Sequence, residues 1–121
     1  MTCNCFNNDN NVIQFVKGTT VNLSFDFDED ISSYSSAEFV IRKDYDNPII
    51  LDKTEGIENP NTIEISLTPT DTNVFDEFQN GKNSAQYIWG LDLIDSDAGI
   101  RVNVFPQTGE AAPLCIVYKH V

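Results

Sequence analysis

The sequence predicts an all-β protein, an antiparallel β-sandwich or small barrel of seven or eight strands with one short helical turn, and two observations carry that prediction. Apolar and polar residues alternate with period two in several separate runs, the signature of strands with one face buried. Clusters of Asp, Asn, Gly and Pro separate these runs at regular spacing, and the strand-helix-strand alternation that builds parallel sheets is missing from the pattern.

The elements follow in order. Residues 2–11 are polar and Asn-rich, with only Phe6 among the larger apolar side chains, so a flexible arm is expected over 1–11 and the sandwich domain over 12–121. From Val21 the alternation is strict: Val21, Leu23, Phe25 and Phe27 share one face, and Asn22, Ser24, Asp26 and Asp28 the other. Asp28-Glu29-Asp30 ends the run, because hydrated acidic side chains are poor strand formers and belong in a turn. Ala37, Phe39 and Ile41 define a second strand, closed by Asp46-Asn47-Pro48, and Ile49 to Lys53 forms a short apolar third. After Gly56 and Asn59-Pro60-Asn61, Ile63, Ile65 and Leu67 alternate with Glu64 and Ser66 in another.

The alternation breaks over Thr68 to Gln79. Pro69, capping candidates at Thr70 and Asp71, and Val74, Phe75 and Phe78 at helical spacing predict one short helical turn, ended by Asn80-Gly81. The clearest strand follows, with Tyr87, Trp89, Leu91 and Leu93 on one face, which assigns Trp89 to the core between the sheets. Asp95-Ser96-Asp97-Ala98-Gly99 reads as a hairpin loop into Ile100 to Phe105. Pro106 to Pro113 is a connection, and Leu114 to Val121 is a last β-branched and aromatic strand.

With 121 residues there is room for a single core, which buries about two-thirds of the unfolded surface without staples. Seven Lys and Arg against 19 Asp and Glu give a net charge of −12. That charge repels phosphate backbones and anionic headgroups, so neither nucleic acid nor a membrane surface is expected as a partner. The start, MTCNCFNNDNN, has neither the basic nor the apolar region of a signal peptide, and no apolar run reaches the roughly 18 residues that cross a bilayer. Cytoplasmic synthesis without a disulfide is expected for its three cysteines.

Candidate sites are few. Cys3, Cys5, Cys115 and His120 carry donor atoms suited to Zn²⁺. Positions 115 and 120 differ by an odd number, so on a continuous strand they point to opposite faces, and C-x-C is a weak motif; Cys115 is expected in the core. The acidic stretches Asp26 to Asp30 and Asp95 to Asp97 offer oxygens to Ca²⁺ but lack the spacing of an EF-hand loop. No Ser or Cys lies in a nucleophile motif and the lone His120 is next to the last residue, so neither catalysis nor a cofactor is expected. Exposed aromatic rings stack on sugars in carbohydrate-binding sandwiches, and Tyr34 and Tyr45, flanking one strand at its turns, are the candidate contacts at one edge.

The order of these features resembles the small immunoglobulin-like domains of bacteriophage tail and baseplate proteins, such as the N-terminal domain of baseplate upper proteins. The matching residues are Lys17-Gly18-Thr19 before Val21 to Phe27, Ile31-Ser32-Ser33-Tyr34, Phe39-Val40-Ile41-Arg42, Pro48-Ile49-Ile50-Leu51, Gly56-Ile57, Thr62 to Pro69, and Gly81 leading to Tyr87, Trp89, Leu91 and Leu93. They cover most of residues 12 to 105. The resemblance implies a structural protein of the virion that binds other tail or baseplate proteins and forms homo-oligomers. A carbohydrate- or host-receptor-binding module is the alternative on the same fold.

Overall fold

The computed structural model describes residues 6–7, 11–76, 78–107 and 109–121. Among them are nine strands and one helix: β1 (Phe6–Asn7), β2 (Val12–Val16), β3 (Val21–Asp26), β4 (Ser36–Arg42), β5 (Ile49–Gly56), β6 (Thr62–Leu67), α1 (Pro69–Thr72), β7 (Ser84–Asp95), β8 (Ile100–Phe105) and β9 (Leu114–Tyr118). The larger sheet has the order β1-β2-β9-β7-β4-β5, with β8 also beside β7; β3 and β6 form the second sheet. The fold is all-β, with the two sheets packed on each other through one core.

The twelve-residue β7 organises the larger sheet. Ser84 to Ile88 pair with β9, and Leu91 to Asp95 pair with β8, while β4 takes the other edge from Ile88 to Ile94. Alternation then sorts the side chains. Tyr87, Trp89, Leu91 and Leu93 face the core together with Ala37, Phe39 and Ile41 of β4. Val21, Leu23 and Phe25 of β3, with Ile63, Ile65 and Leu67 of β6, bury their faces from the second sheet. Trp89 is in this core, as expected: its ring lies 5.6 Å from Phe25, 5.8 Å from Phe39 and 5.0 Å from Phe105. Its indole N–H donates to the Asn11 carbonyl at 3.0 Å, so the buried polar atom is satisfied.

Three sequence expectations are corrected. The sheet is not purely antiparallel, because β2 runs parallel to β9, with Ile13 opposite Cys115 and Phe15 opposite Val117. Parallel pairing needs a long crossover, and here nearly the whole chain lies between the two strands, so no local signal announces it. Among the described residues there are nine strands instead of seven or eight; the runs read from the sequence include neither Val12–Val16 nor Phe6–Asn7, which pair with each other. Of the expected arm, Phe6, Asn7 and Asn11 are described; residues 1–5 and 8–10 lie outside the described residues.

The third correction concerns the helical turn. Its cap is Thr68, whose hydroxyl accepts from the Asp71 N–H at 3.1 Å while the Asp71 carboxylate accepts from the Thr68 N–H at 2.8 Å. This is a capping box, with Pro69 in the first turn where a missing N–H is harmless. The helix stops at Thr72, so Val74, Phe75 and Phe78 are not helical. Phe75 is fully buried and plugs one end of the core against Phe15 and Tyr87, at 5.6 and 5.0 Å.

Candidate functional site

The outward face of the larger sheet presents Glu38, Val40 and Arg42 from β4 and Ile88, Gly90 and Asp92 from β7, paired across the strands as Glu38 with Asp92, Val40 with Gly90 and Arg42 with Ile88. Two carboxylates directly opposite each other repel. Arg101 of β8 resolves this: one guanidinium nitrogen donates to Glu38 at 2.6 Å and to Asp92 at 2.8 Å. The Asn103 amide donates to the other Asp92 oxygen at 2.9 Å. Arg101 holds the Glu38 carboxyl below its usual range, chiefly through that hydrogen bond. Asp52, on β5 opposite Val40, is shifted the other way, first by partial desolvation and then by the neighbouring Glu38 carboxyl.

A bulge shapes the next part of this surface. Asp92 pairs with Asn103 and Leu91 with Phe105, so Val104 is an extra residue on β8. The extra residue sends Asn103 outward and turns the Phe105 ring inward against Trp89 and Phe25. It also brings the Phe105 carbonyl to 3.1 Å from where a Cβ on residue 90 would be, which only glycine accommodates without a shift.

Above Gly90 lies a hollow of about 180 Å³, floored by Val40, Ile88 and Gly90 and walled by Tyr45, Pro106 and Ala112. The Tyr45 hydroxyl accepts from the Ala112 N–H at 2.9 Å, bridging two loops over the sheet. Its turn is pre-set by Asp44, whose carboxylate accepts from the Asp46 and Asn47 N–H groups and from the Asn47 amide at 2.7 to 3.0 Å. Those bonds, the Asn47 side chain first, hold the Asp44 carboxyl below its usual range.

Tyr34 and Tyr45 do not form one platform. They flank β4 at opposite ends, about 20 Å apart at the rise of a seven-residue strand. Tyr34 is half-buried against the core, whereas Tyr45 is 65% exposed and lines the hollow. Of the residues in and beside the hollow, sequence reasoning singled out Tyr45 and not Glu38, Arg42, Gly90, Asp92, Arg101 or Asn103, which only strand pairing brings together.

β8 is also an edge. Among the described residues its sheet neighbour is β7 alone, and Ile100 and Val102 remain 49% and 38% exposed. The edge strand β5, by contrast, carries Asp52, Lys53 and Glu55, charges that discourage pairing.

Cys115 is buried on the inner face of β9, and burial pushes its thiol pKa up. β9 ends at Tyr118, so the strand-parity argument does not extend to His120, which is exposed with Nδ1 2.9 Å from the Val121 oxygen. Cys3 and Cys5 lie outside the described residues. In the acidic stretches, Asp30 accepts from the Ser32 N–H, Asp26 from the Thr62 hydroxyl, and Asp95 from the Ala98 N–H. Among the described residues no three His, Cys, Asp or Glu side chains are grouped to hold a metal ion, and no helix is long and apolar enough to cross a membrane.

Compared with known proteins, the chain matches no family model, no curated protein and no solved structure.

Proposed function

We propose that the chain is a non-enzymatic structural adaptor of a phage or prophage tail, an immunoglobulin-like domain of the baseplate or fibre region that joins other virion proteins. The assignment to a tail rests on the resemblance carried by Lys17-Gly18-Thr19, the Val21 to Phe27 run and the Tyr87 to Leu93 strand. One observation supports the binding role: β8 offers an edge at which Ile100 and Val102 are exposed and no second strand is paired among the described residues. An extended segment from a partner gains main-chain hydrogen bonds on such an edge and packs alternate side chains on Ile100 and Val102. Asp95 and Asp97, where the hairpin leads into this edge, are acidic, while Arg101 is already paired with Glu38 and Asp92, which favours a partner strand bearing Lys or Arg. Symmetric assembly multiplies a weak contact of this kind.

The test is to express the tagged chain in the organism that encodes it and sediment particles on a density gradient. The wild-type chain is expected in the tail-particle fraction. Val102→Lys, a substitution of the type that protects natural edges, should lower the bound amount at least about tenfold with an unchanged Tm. A wild-type chain that stays free at the top of the gradient refutes the tail assignment; equal incorporation of the variant refutes the role of β8.

A further inference from the structure

We infer that the hollow above Gly90 is a binding site for one neutral sugar ring. This goes beyond the adaptor role and uses a different surface from the β8 edge.

The chemistry of the hollow selects the ligand class. Its floor of Val40, Ile88 and Gly90 is apolar, and the Tyr45 ring forms one wall, a combination that suits the C–H face of a pyranose. Its rim is polar: Glu38, Arg42, Asp92 and Asn103 line it, and Arg101 beside it is bonded to both carboxylates. Both carboxylates are already engaged, by Arg101 and for Asp92 also by Asn103, so the rim offers hydrogen-bonding groups held in place and suits an uncharged ligand rich in hydroxyls. The groups needed for hydroxyls are present. Carboxylate oxygens that accept one bond from Arg101 or Asn103 keep further lone pairs, and Arg42 brings five N–H donors.

Size and rigidity point the same way. A hollow of about 180 Å³, open on its outer side, is of a size to seat a single ring with its hydroxyls. The rim is held before any ligand arrives: Arg101 and Asn103 clamp Asp92, Asp44 sets the turn that carries Tyr45, and the Tyr45 hydroxyl is fixed to Ala112. Such pre-organisation lowers the ordering cost of binding. The open floor depends on residue 90 having no side chain, and the Phe105 carbonyl at 3.1 Å gives that glycine a structural cause.

The experiment titrates the isotope-labelled chain with the methyl glycosides of glucose, galactose, mannose and N-acetylglucosamine, followed by amide NMR. A ligand of about a dozen heavy atoms at ordinary ligand efficiency gives a Kd of about 1 mM. At least one glycoside should produce saturable shifts at the amides of Val40, Ile88, Gly90 and Asn103. Tyr45→Ala and Val40→Phe, which remove the wall and fill the floor independently, should each weaken binding at least about tenfold, while Tyr34→Ala should leave it unchanged. Absence of saturable shifts with all four glycosides, shifts centred elsewhere, or full binding by the Val40→Phe variant overturns the inference. A parallel titration with N-acetylprolinamide tests a protein side chain as occupant: saturation by this probe with none by the glycosides overturns it as well.

Discussion

Phe75 offers the sharpest test of how the core is closed. It lies outside every strand and helix yet is fully buried, with its ring at 5.6 Å from Phe15 and 5.0 Å from Tyr87 in edge-on contacts. Its neighbour Val74 is 44% exposed. Phe75→Ala removes the ring and leaves a cavity, and such substitutions cost about 3–5 kcal/mol. The two aromatic contacts place this site in the upper half of that range, at about 4.5 kcal/mol. The unfolding entropy of a 121-residue chain is about 0.25 kcal/mol per kelvin, from roughly 2.1 cal/mol/K per residue, so Tm should fall by about 18 °C. Val74→Ala, one residue away, should change stability by no more than about 0.5 kcal/mol.

Urea denaturation followed by circular dichroism measures both variants on one scale, and calorimetry gives the Tm values. The reasoning fails if Phe75→Ala costs less than about 1.5 kcal/mol, since a fully buried ring cannot be removed so cheaply. It fails equally if Val74→Ala costs as much as Phe75→Ala. That outcome would mean both residues pack inward on a continuous helical face, the arrangement suggested by spacing alone.

Four further predictions follow from particular contacts. Thr68→Ala should destabilise the fold by about 1 kcal/mol in the same urea assay, because it breaks the capping box. The Asp71 carboxyl is held below its usual range by the Thr68 N–H first and Lys53 second; its contribution is therefore complete above the unfolded-state pKa of about 3.9 and lost as pH falls through the lower folded value. Asp71→Asn should accordingly flatten the acid limb of a stability–pH curve; an unchanged limb would show that the carboxylate is not stabilising. Cys115, fully buried with a raised thiol pKa, should resist iodoacetamide at pH 8 until the chain is unfolded, and peptide mapping that finds it alkylated in the native protein would contradict its placement. Gly90→Ala should cost about 1 kcal/mol, since strain against the Phe105 carbonyl exceeds the backbone entropy gained; a stabilised variant would mean the bulged segment yields freely.

Period-two alternation is a local property, and what it determines locally was legible. Val21, Leu23 and Phe25, then Ala37, Phe39 and Ile41, and then the row from Tyr87 to Leu93 all face the core as their spacing requires. Strand pairing is not local, and there the sequence is silent. Nothing near Ile13 announces Cys115 as its parallel neighbour, more than one hundred residues away. The helical turn lies between these cases: Pro69 and Asp71 were visible as end signals, but the cap fell one residue before the proline, where Thr68 had ended the strand pattern. Phe75 and Phe78 kept helical spacing by coincidence, because a residue that plugs a core from a loop leaves no periodicity of its own.

The candidate site was illegible for a further reason, which Val104 makes concrete. Unbroken alternation over Ile100 to Phe105 would set Arg101, Asn103 and Phe105 on one face. Arg101 and Asn103 must face outward to bind Asp92, and Phe105 must face inward to meet Trp89 and Phe25. Both demands are met only if one residue between Asn103 and Phe105 drops out of register, and Val104 does so. The same bulge brings the Phe105 carbonyl toward residue 90, where a glycine leaves the floor of the hollow open. The inward-facing aromatic cluster and the outward-facing polar rim are therefore one structural decision. A sequence pattern read strand by strand registers the aromatic residue and the polar residues but not the change of phase that separates them.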